Sequence, residues 1–399
     1  MDKIRVKAEI MSAISEEIDL WLDKSATIKD GYEYETEFIK ITQKVNKVML
    51  SKSLGKVSSD RNKKKLQTCF GKLEVSKGHI LCMHTEKFCV SSKMQEIICL
   101  VANNSVFEES SDILQSLLGV DISAKQIQRI SEHYGQKLEE LEENYQENTL
   151  EVPLVTAAKS ENPVYVTMDG SMIYTREEGW KEMKVGRIYS ETSRVAIQKN
   201  RTEVTDSLYT CTLGNNKSFL KKLEPYVEPY KHKVFIADGA KWIWNWVEDF
   251  YGTSVQILDF YHAVEKLSAY AILAYPDANQ RHKWLEEQKQ RLKTDEVENL
   301  IEDLKNIIIE TTQADNALQD VIRYYENNIE RMKYGTFIRK GYLIGSGSIE
   351  SAHRNVVQQR LKLSGQRWSI EGAQRIVNLR AYRKSKRWRE VVGQIKMAA

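Results

Sequence analysis

The sequence predicts a mixed α+β protein: a run of alternating strands and helices in the middle (an α/β pattern), a helical insertion after it and a mostly helical region before it. Three observations predict this. Five prolines in 399 residues leave long stretches free to be helical. Hydrophobic spacing is helical over residues 1–50 and again around 110–135, strand-like in segments between 160 and 258, and helical from 262. With 41% hydrophobic and 29% charged residues, the chain can bury a sizeable core, and its length favours two or three domains.

Composition also excludes classes. The longest apolar run, Ala269 to Tyr275, has seven residues, whereas a bilayer span needs roughly 20; no membrane association is expected. The opening MDKIRVKAEIMSAISEEIDLW is amphipathic and carries acids, so no secretory signal is expected. Five cysteines (Cys69, Cys82, Cys89, Cys99, Cys211) are an odd number that suits a reducing cytoplasm better than a disulfide framework. Net charge is only +3, yet residues 331–399 hold 16 Lys and Arg against Glu350, Glu371 and Glu390. A basic segment of this kind is the electrostatic footprint of nucleic-acid binding, or else a solvated basic face.

Along the chain, residues 1–66 read as a helical region closed by a polar Ser/Lys-rich linker, 51–66. Residues 67–151 follow as one region. It opens on short β-like runs carrying Cys69, Cys82, His84 and Cys89; the seven-residue step from Cys82 to Cys89 lacks the paired C-x2-C spacing of a zinc site. Ile113, Leu114, Leu117 and Leu118 then form one helix face, Gly119 breaks the helix, and Ser123 can cap a second helix bearing Ile127 and Ile130. That is the helix-turn-helix outline, with Lys125, Gln126, Gln128 and Arg129 exposed for DNA; an ordinary helical hairpin would look the same. The Glu-rich stretch 132–151 reads as a helical spacer.

The core is expected in two pieces, 160–268 and 337–399, around an insertion at 269–336. Val164–Met168 reads as a buried strand ending at Asp169-Gly170, Glu182–Ser190 as a second strand, and Asp206–Thr212 as a third. A helix over Asn215–Tyr226 leads to a strand, Lys233–Ala237, that ends at Asp238. A helix over Lys241–Tyr251 leads to another, Ser254–Leu258, that ends at Asp259. The order β-β-β-α-β-α-β is that of an RNase H-like core. Trp242 and Trp246 read as core residues, and Trp284 as the better candidate to stack on an unpaired base.

Three strand ends thus each present a carboxylate, Asp169, Asp238 and Asp259, and Glu350 lies in the first turn of a helix after Gly345-Ser346-Gly347-Ser348. That Gly-Ser run lacks the GK[ST] ending of a phosphate-binding loop. Converging carboxylates are what two Mg²⁺ ions need to promote phosphodiester chemistry. A lone Asp-Gly after a strand is ordinarily a turn; several in these topological slots point to a site. His353 falls three residues after Glu350, and Arg354, Arg360, Lys362 and Arg367 lie on or beside the same helix, suited to DNA phosphates.

VTMDGSM, VFIADGAKWIW, ILDFYHAVEKL, the long YENNIERMKYGTFIRKGYLIGSGSIESAHRNVVQQRLKLSGQRW and GAQRIVNLRAYRKSKRW resemble bacterial insertion-sequence DDE transposases, most of all the ISKra-type group, relatives of the Mutator-like superfamily. The resemblance covers 160–390 and, loosely, the helix-turn-helix region; it does not reach residues 1–65. It implies an RNase H-like catalytic core interrupted by a helical insertion, with Asp169 as first acid and Glu350 as last. The middle acid is Asp238 by likeness to Mutator-like enzymes, whose Asp/Cys-x-x-His motif matches Asp259 to His262; the rival assignment is Asp169, Asp259 and Glu350. The paired-cysteine segment that often precedes the helix-turn-helix in this group is degenerate here.

The activity so implied is metal-dependent cleavage of the element's ends and strand transfer into target DNA, with Mg²⁺ as cofactor and Mn²⁺ able to substitute. The partners are double-stranded DNA and, because two ends must meet, at least a homodimer. The expected place is the cytoplasm, on the nucleoid when bound to DNA. The alternatives are a catalytically inactive, transposase-derived DNA-binding protein and an RNase H-type nuclease.

Overall fold

Two long helices lead the chain, α1 (Lys3–Ser25) and α2 (Gly31–Ser53). The Asp30 carboxylate caps α2 by accepting from the Glu33 N–H, and Trp21 packs edge-on against Tyr34 and Phe38, so the two helices form a hairpin. An antiparallel ribbon follows, β1 (Lys63–Thr68) with β2 (Gly71–Ser76), in register from Lys63↔Ser76 to Thr68↔Gly71. Its inward residues Leu66, Leu73 and Val75 bury a small core with Cys82. This computed structural model describes residues 3–54, 63–83, 85, 87–155, 162–198, 201–308, 311–345 and 347–397. Half of the expected linker (55–62), His84 and Ser346 lie outside them; the linker's ends, 51–53 and 63–66, belong to α2 and β1.

Next come α3 (Ser92–Ala102), α4 (Phe107–Leu118) and α5 (Ala124–Gln146). Gly119 ends α4 in the left-handed region, φ +62°, where a side chain would be strained. The Ser123 hydroxyl accepts from the Gln126 N–H at the start of α5. Two helices joined by a short turn are therefore present, as either a helix-turn-helix or an ordinary hairpin requires, but the second helix and most of the expected acidic spacer are one continuous helix. Ile127, Ile130, Tyr134 and Leu138 hold its buried stripe together at three- and four-residue steps.

The main sheet is built from β3 (Val164–Thr175), β4 (Gly179–Ser190), a side hairpin β5 (Arg194–Gln198) with β6 (Arg201–Val204), then β7 (Leu208–Leu213), α6 (Asn216–Val227), β8 (Lys233–Ala237), α7 (Lys241–Tyr251) and β9 (Val255–Leu258). The strand order is β7-β4-β3-β8-β9. β3 pairs antiparallel with β4 and parallel with β8; β4–β7 is antiparallel and β8–β9 parallel. The fold is thus mixed α+β around a mixed five-stranded sheet. Val164 to Met168 are buried without alternation, as a central strand covered on both faces requires.

β3 departs from expectation: it does not end at Asp169. Its pairing with β8 stops at Met168↔Ala237, while its pairing with β4 runs on to Thr175↔Gly179. Beyond Asp169 the strand has lost β8 and runs on beside β4 alone, with a single bridge from Thr175 to Trp368 near its end. The β5–β6 hairpin was not expected; its residues carry no apolar alternation to announce it.

The insertion is helical as expected: α8 (Phe260–Ala274), α9 (Ala278–Lys293), α10 (Val297–Lys305), α11 (Thr312–Glu326) and α12 (Tyr334–Arg339). The chain then forms α13 (Gly347–Ala352), a π-helical stretch His353–Gln358, α14 (Gln359–Leu361), α15 (Ile370–Lys384) and α16 (Trp388–Met397).

By its internal contacts the chain divides into two units, Met1–Glu140 with Asn378–Ala399, and Leu141–Val377. The last residues, expected to close the strand-bearing core, belong with the first unit. There the Asn103 amide donates to the Leu379 carbonyl, and the buried Arg380 guanidinium donates back to the Asn103 carbonyl. All five cysteines are free thiols. Among the described residues no helix is long and apolar enough to cross a membrane.

Candidate functional site

Met168↔Ala237 is the last rung of the parallel β3–β8 ladder, so Asp169 and Asp238 are the next residue on each strand. Two carboxylates thus stand side by side where the parallel pairing of β3 with β8 stops, Asp169 within β3 and Asp238 just past the end of β8. An Asp169 oxygen accepts from the Gly170 N–H at 2.7 Å, and an Asp238 oxygen from the Ala240 N–H at 3.0 Å. Burial pushes the Asp238 carboxyl above its ordinary value; the charges of Asp169 and Glu182 add to this, while the Ala240 N–H and His262 oppose it. The Asp238 carbonyl accepts the indole N–H of buried Trp244, whose ring lies 4.5 Å beneath the Arg331 guanidinium. A core is thus built directly under one acid.

Asp259 has a different role. It is 1% exposed and caps α8, its carboxylate accepting from the N–H groups of Tyr261 and His262 at 2.6 and 3.0 Å. Its own N–H donates to the Ala237 carbonyl, which fastens the third strand end to the second. Of the two rivals for the middle acid, Asp238 is the one partly open to solvent beside Asp169. His262 pairs with Glu265, Nδ1 to oxygen 3.0 Å.

Glu350 is exposed in the first turn of α13, as expected. The loop leading to it is tied down at three points. The Leu343 N–H donates to the Tyr165 hydroxyl, the Phe260 N–H to the Ile344 carbonyl, and the Arg187 guanidinium to the Ser348 carbonyl. Arg187 itself is buried between the rings of Tyr189 and Tyr209, 5.3 Å from each. A cavity of about 1030 Å³ opens here, lined by Arg187, Tyr209, Tyr261, Lys293 and Ser348 among others. The expected convergence of three acids is met for two. Among the described residues no three His, Cys, Asp or Glu side chains gather closely enough to hold a metal ion. The Asp169–Asp238 pair itself offers only oxygen donors with mutual repulsion, which suits a hard divalent cation such as Mg²⁺.

His353 is corrected. It does not share the exposed face of Glu350 but is 3% exposed, with Nε2 3.5 Å from an Asp169 oxygen. Neither ring nitrogen makes a hydrogen bond among the described residues. His353 falls on the buried face of the helix with Ile349, Ala352 and Val356, and a π-helical stretch begins at it. Burial holds the imidazole below its ordinary value, against the pull of Asp169.

The expected DNA contacts divide. Lys125 and Arg129 are exposed on α5. Gln126 and Gln128 are only half exposed; they donate to the Phe88 carbonyl and the Glu132 carboxylate. Arg354, Lys362 and Arg367 are exposed, and Arg367 lies over the Tyr174 ring. Arg360 is not available to DNA: it is 1% exposed, with its guanidinium 5.0 Å from the centre of the Trp368 ring. With Arg380 and Arg387 also buried, part of the basic tail is internal structure. Trp284 is half-buried between Tyr270 and Tyr275 and is not free to take a base.

Three residues at the site escaped sequence reasoning. Glu182, opposite Met172 on β4, faces the acid pair closely enough to act on Asp238. Arg187 anchors the Glu350 loop. Tyr324, from the insertion, lies against Gly239: a Cβ there would meet the Tyr324 ring at 2.1 Å. The only sequence signal was the Asp-Gly pair itself. Comparison with protein-family models finds no match, and comparison with curated proteins finds none either.

Proposed function

We propose that the chain is a DNA transposase of the DDE type, cutting DNA strands at the ends of its element and joining them to a target. The observation that carries this is the side-by-side pair Asp169 and Asp238 where the parallel β3–β8 ladder stops. The strand order β7-β4-β3-β8-β9, with three antiparallel strands followed by two parallel ones, supports the RNase H-like reading of this core. The motif resemblance over 160–390 supports the reaction.

In this reading Asp169 and Asp238 bind Mg²⁺, with Glu350 completing the set, and the metal supplies Lewis-acid stabilisation of the phosphodiester. Asp259 shapes the site by fixing α8 and bringing His262 beside Asp238. Arg354, Lys362 and Arg367 hold backbone phosphates. Lys125 and Arg129 serve the same end from the helix-turn-helix.

One observation favours a second reading, a DNA-binding protein derived from a transposase and without catalysis: Glu350 belongs to no metal-holding group among the described residues. The test is purified protein with Mg²⁺ and a DNA fragment carrying the gene and its native flanks. Nicks at two matching boundaries, lost in Asp169→Asn and Glu350→Gln while DNA binding persists, are the expected result. Binding without nicks would select the second reading, and nicks that survive both substitutions would sink the acid assignment.

A further inference from the structure

The α1–α2 hairpin has no buried residue on either helix. The inward face of α1 is half covered by α2, through Ile10, Ile14 and Trp21. A second face of α1 is exposed. Ala8, Met11, Ile18 and Leu22 share one face at helical spacing, with Ser15 the one polar residue between them. Met11 is 59% exposed, Ile18 44% and Leu22 51%. Two stripes at this spacing on one helix are what a bundle helix needs when it packs against two neighbours, and the chain supplies one.

Charge identifies the other. Lys3 and Lys7 lie at the start of α1; Glu16, Asp19 and Asp23 lie toward its end. α2 runs the opposite way and repeats the polarity: Glu33 and Glu35 lie beside the acidic end, and Lys47 and Lys52 beside the basic end. None of these nine makes an ion pair among the described residues. The pairs within the hairpin are instead Lys24 and Lys40 with Glu37, and Lys44 with Glu17. The hairpin therefore has one basic and one acidic end, both unspent.

We infer that α1 is the interface with a second copy of this chain, the two hairpins packing antiparallel about a two-fold axis. That arrangement covers stripe with stripe and sets each basic end against the partner's acidic end, which a parallel arrangement would not. It is self-complementary, as a two-fold contact must be. A 23-residue helix is about 35 Å long. A face one helix wide and of that length covers roughly 350 Å² per copy, well under the roughly 800 Å² typical of specific interfaces, so a readily reversible dimer is expected. The inference rests on the surface of this hairpin and not on the catalytic reading.

The test is light scattering on the full-length protein at low and high salt. The expected mass is twice 46.2 kDa, with dissociation favoured by salt. Met11→Gln with Ile18→Gln should weaken the dimer at least tenfold while the helical content, read by circular dichroism at 25 °C, stays in place because both side chains are exposed. Lys3→Glu with Lys7→Glu should weaken it too, and adding Asp19→Lys with Asp23→Lys should restore it. A monomeric wild type, or a dimer indifferent to the stripe substitutions, overturns the inference. A dimer that the first charge pair leaves untouched, or that the second fails to restore, overturns the antiparallel pairing.

Discussion

The imidazole of His353 stands out of solvent with Nε2 3.5 Å from an oxygen of Asp169, and neither ring nitrogen makes a hydrogen bond among the described residues. A side chain in that position acts on the acid and cannot reach a DNA backbone. His353→Gln should therefore slow cleavage roughly 10- to 100-fold, the range found when a group supporting a metal ligand is removed. Affinity for element DNA should not change. Nicking rates and gel-shift titrations on the same preparation separate the two; a matching loss of affinity would return His353 to the DNA-contact class.

Asp238 and Asp259 should part company under the same substitution. Asp259→Asn keeps an acceptor for the cap but gives up the negative charge at the start of α8, and should cost about 0.3–1 kcal/mol of stability. Asp238 carries a carboxyl that burial already disfavours in its charged form, so Asp238→Asn should melt no lower than the wild type near pH 7 and yet abolish cleavage. Thermal melts set beside nicking assays decide it, and a destabilised Asp238→Asn would count against the site.

Gly239→Ala should force the Tyr324 ring away, since the added methyl would lie 2.1 Å from it. Overpacking of this kind costs roughly 1–3 kcal/mol. Tyr324→Ala in the same chain should recover most of that loss by vacating the space. A double-mutant cycle from urea melts measures the coupling, and additive losses would show that the contact is not the cause.

Asp295 gives a pH dependence. Burial alone would raise its carboxyl, but hydrogen bonds from the Thr336 hydroxyl, the Thr336 N–H and the Arg339 guanidinium outweigh it and hold the carboxyl below its ordinary value. A lowered carboxyl stabilises the fold above the unfolded-state value of about 3.9 and loses that contribution as pH falls through it. Asp295→Asn should therefore melt lower than wild type near pH 7, with the gap closing on acidification below about pH 4. A gap that holds constant down the acid limb would contradict the assignment.

The parts of the core legible in the sequence were those whose burial leaves a local mark. Val164–Met168 and Lys233–Ala237 are continuous apolar runs because they are central strands, and the Asp at the end of each stands where the chain leaves the parallel ladder. What escaped was set by distant neighbours. β3 passes through Asp169 because β4 continues beside it, a partnership no residue near 169 records. Arg360 and Arg380 look like surface charge in a basic tail, yet Trp368 and Asn103 take them inside. Glu182 and Tyr324 reach the acids from a facing strand and from the insertion, 56 and 86 positions before and after Asp238.

The π-helical stretch His353–Gln358 sets a constraint of another kind. It works as a phase shift between the exposed acid on one side and the buried Arg360 on the other. An α-helix advances about 100° per residue, so losing one residue here would turn Glu350 through more than a quarter circle relative to Arg360. Substitutions within the segment change what a side chain does; a change in its length would change which way the acid faces. In related chains, this stretch should vary in letter far more readily than in number.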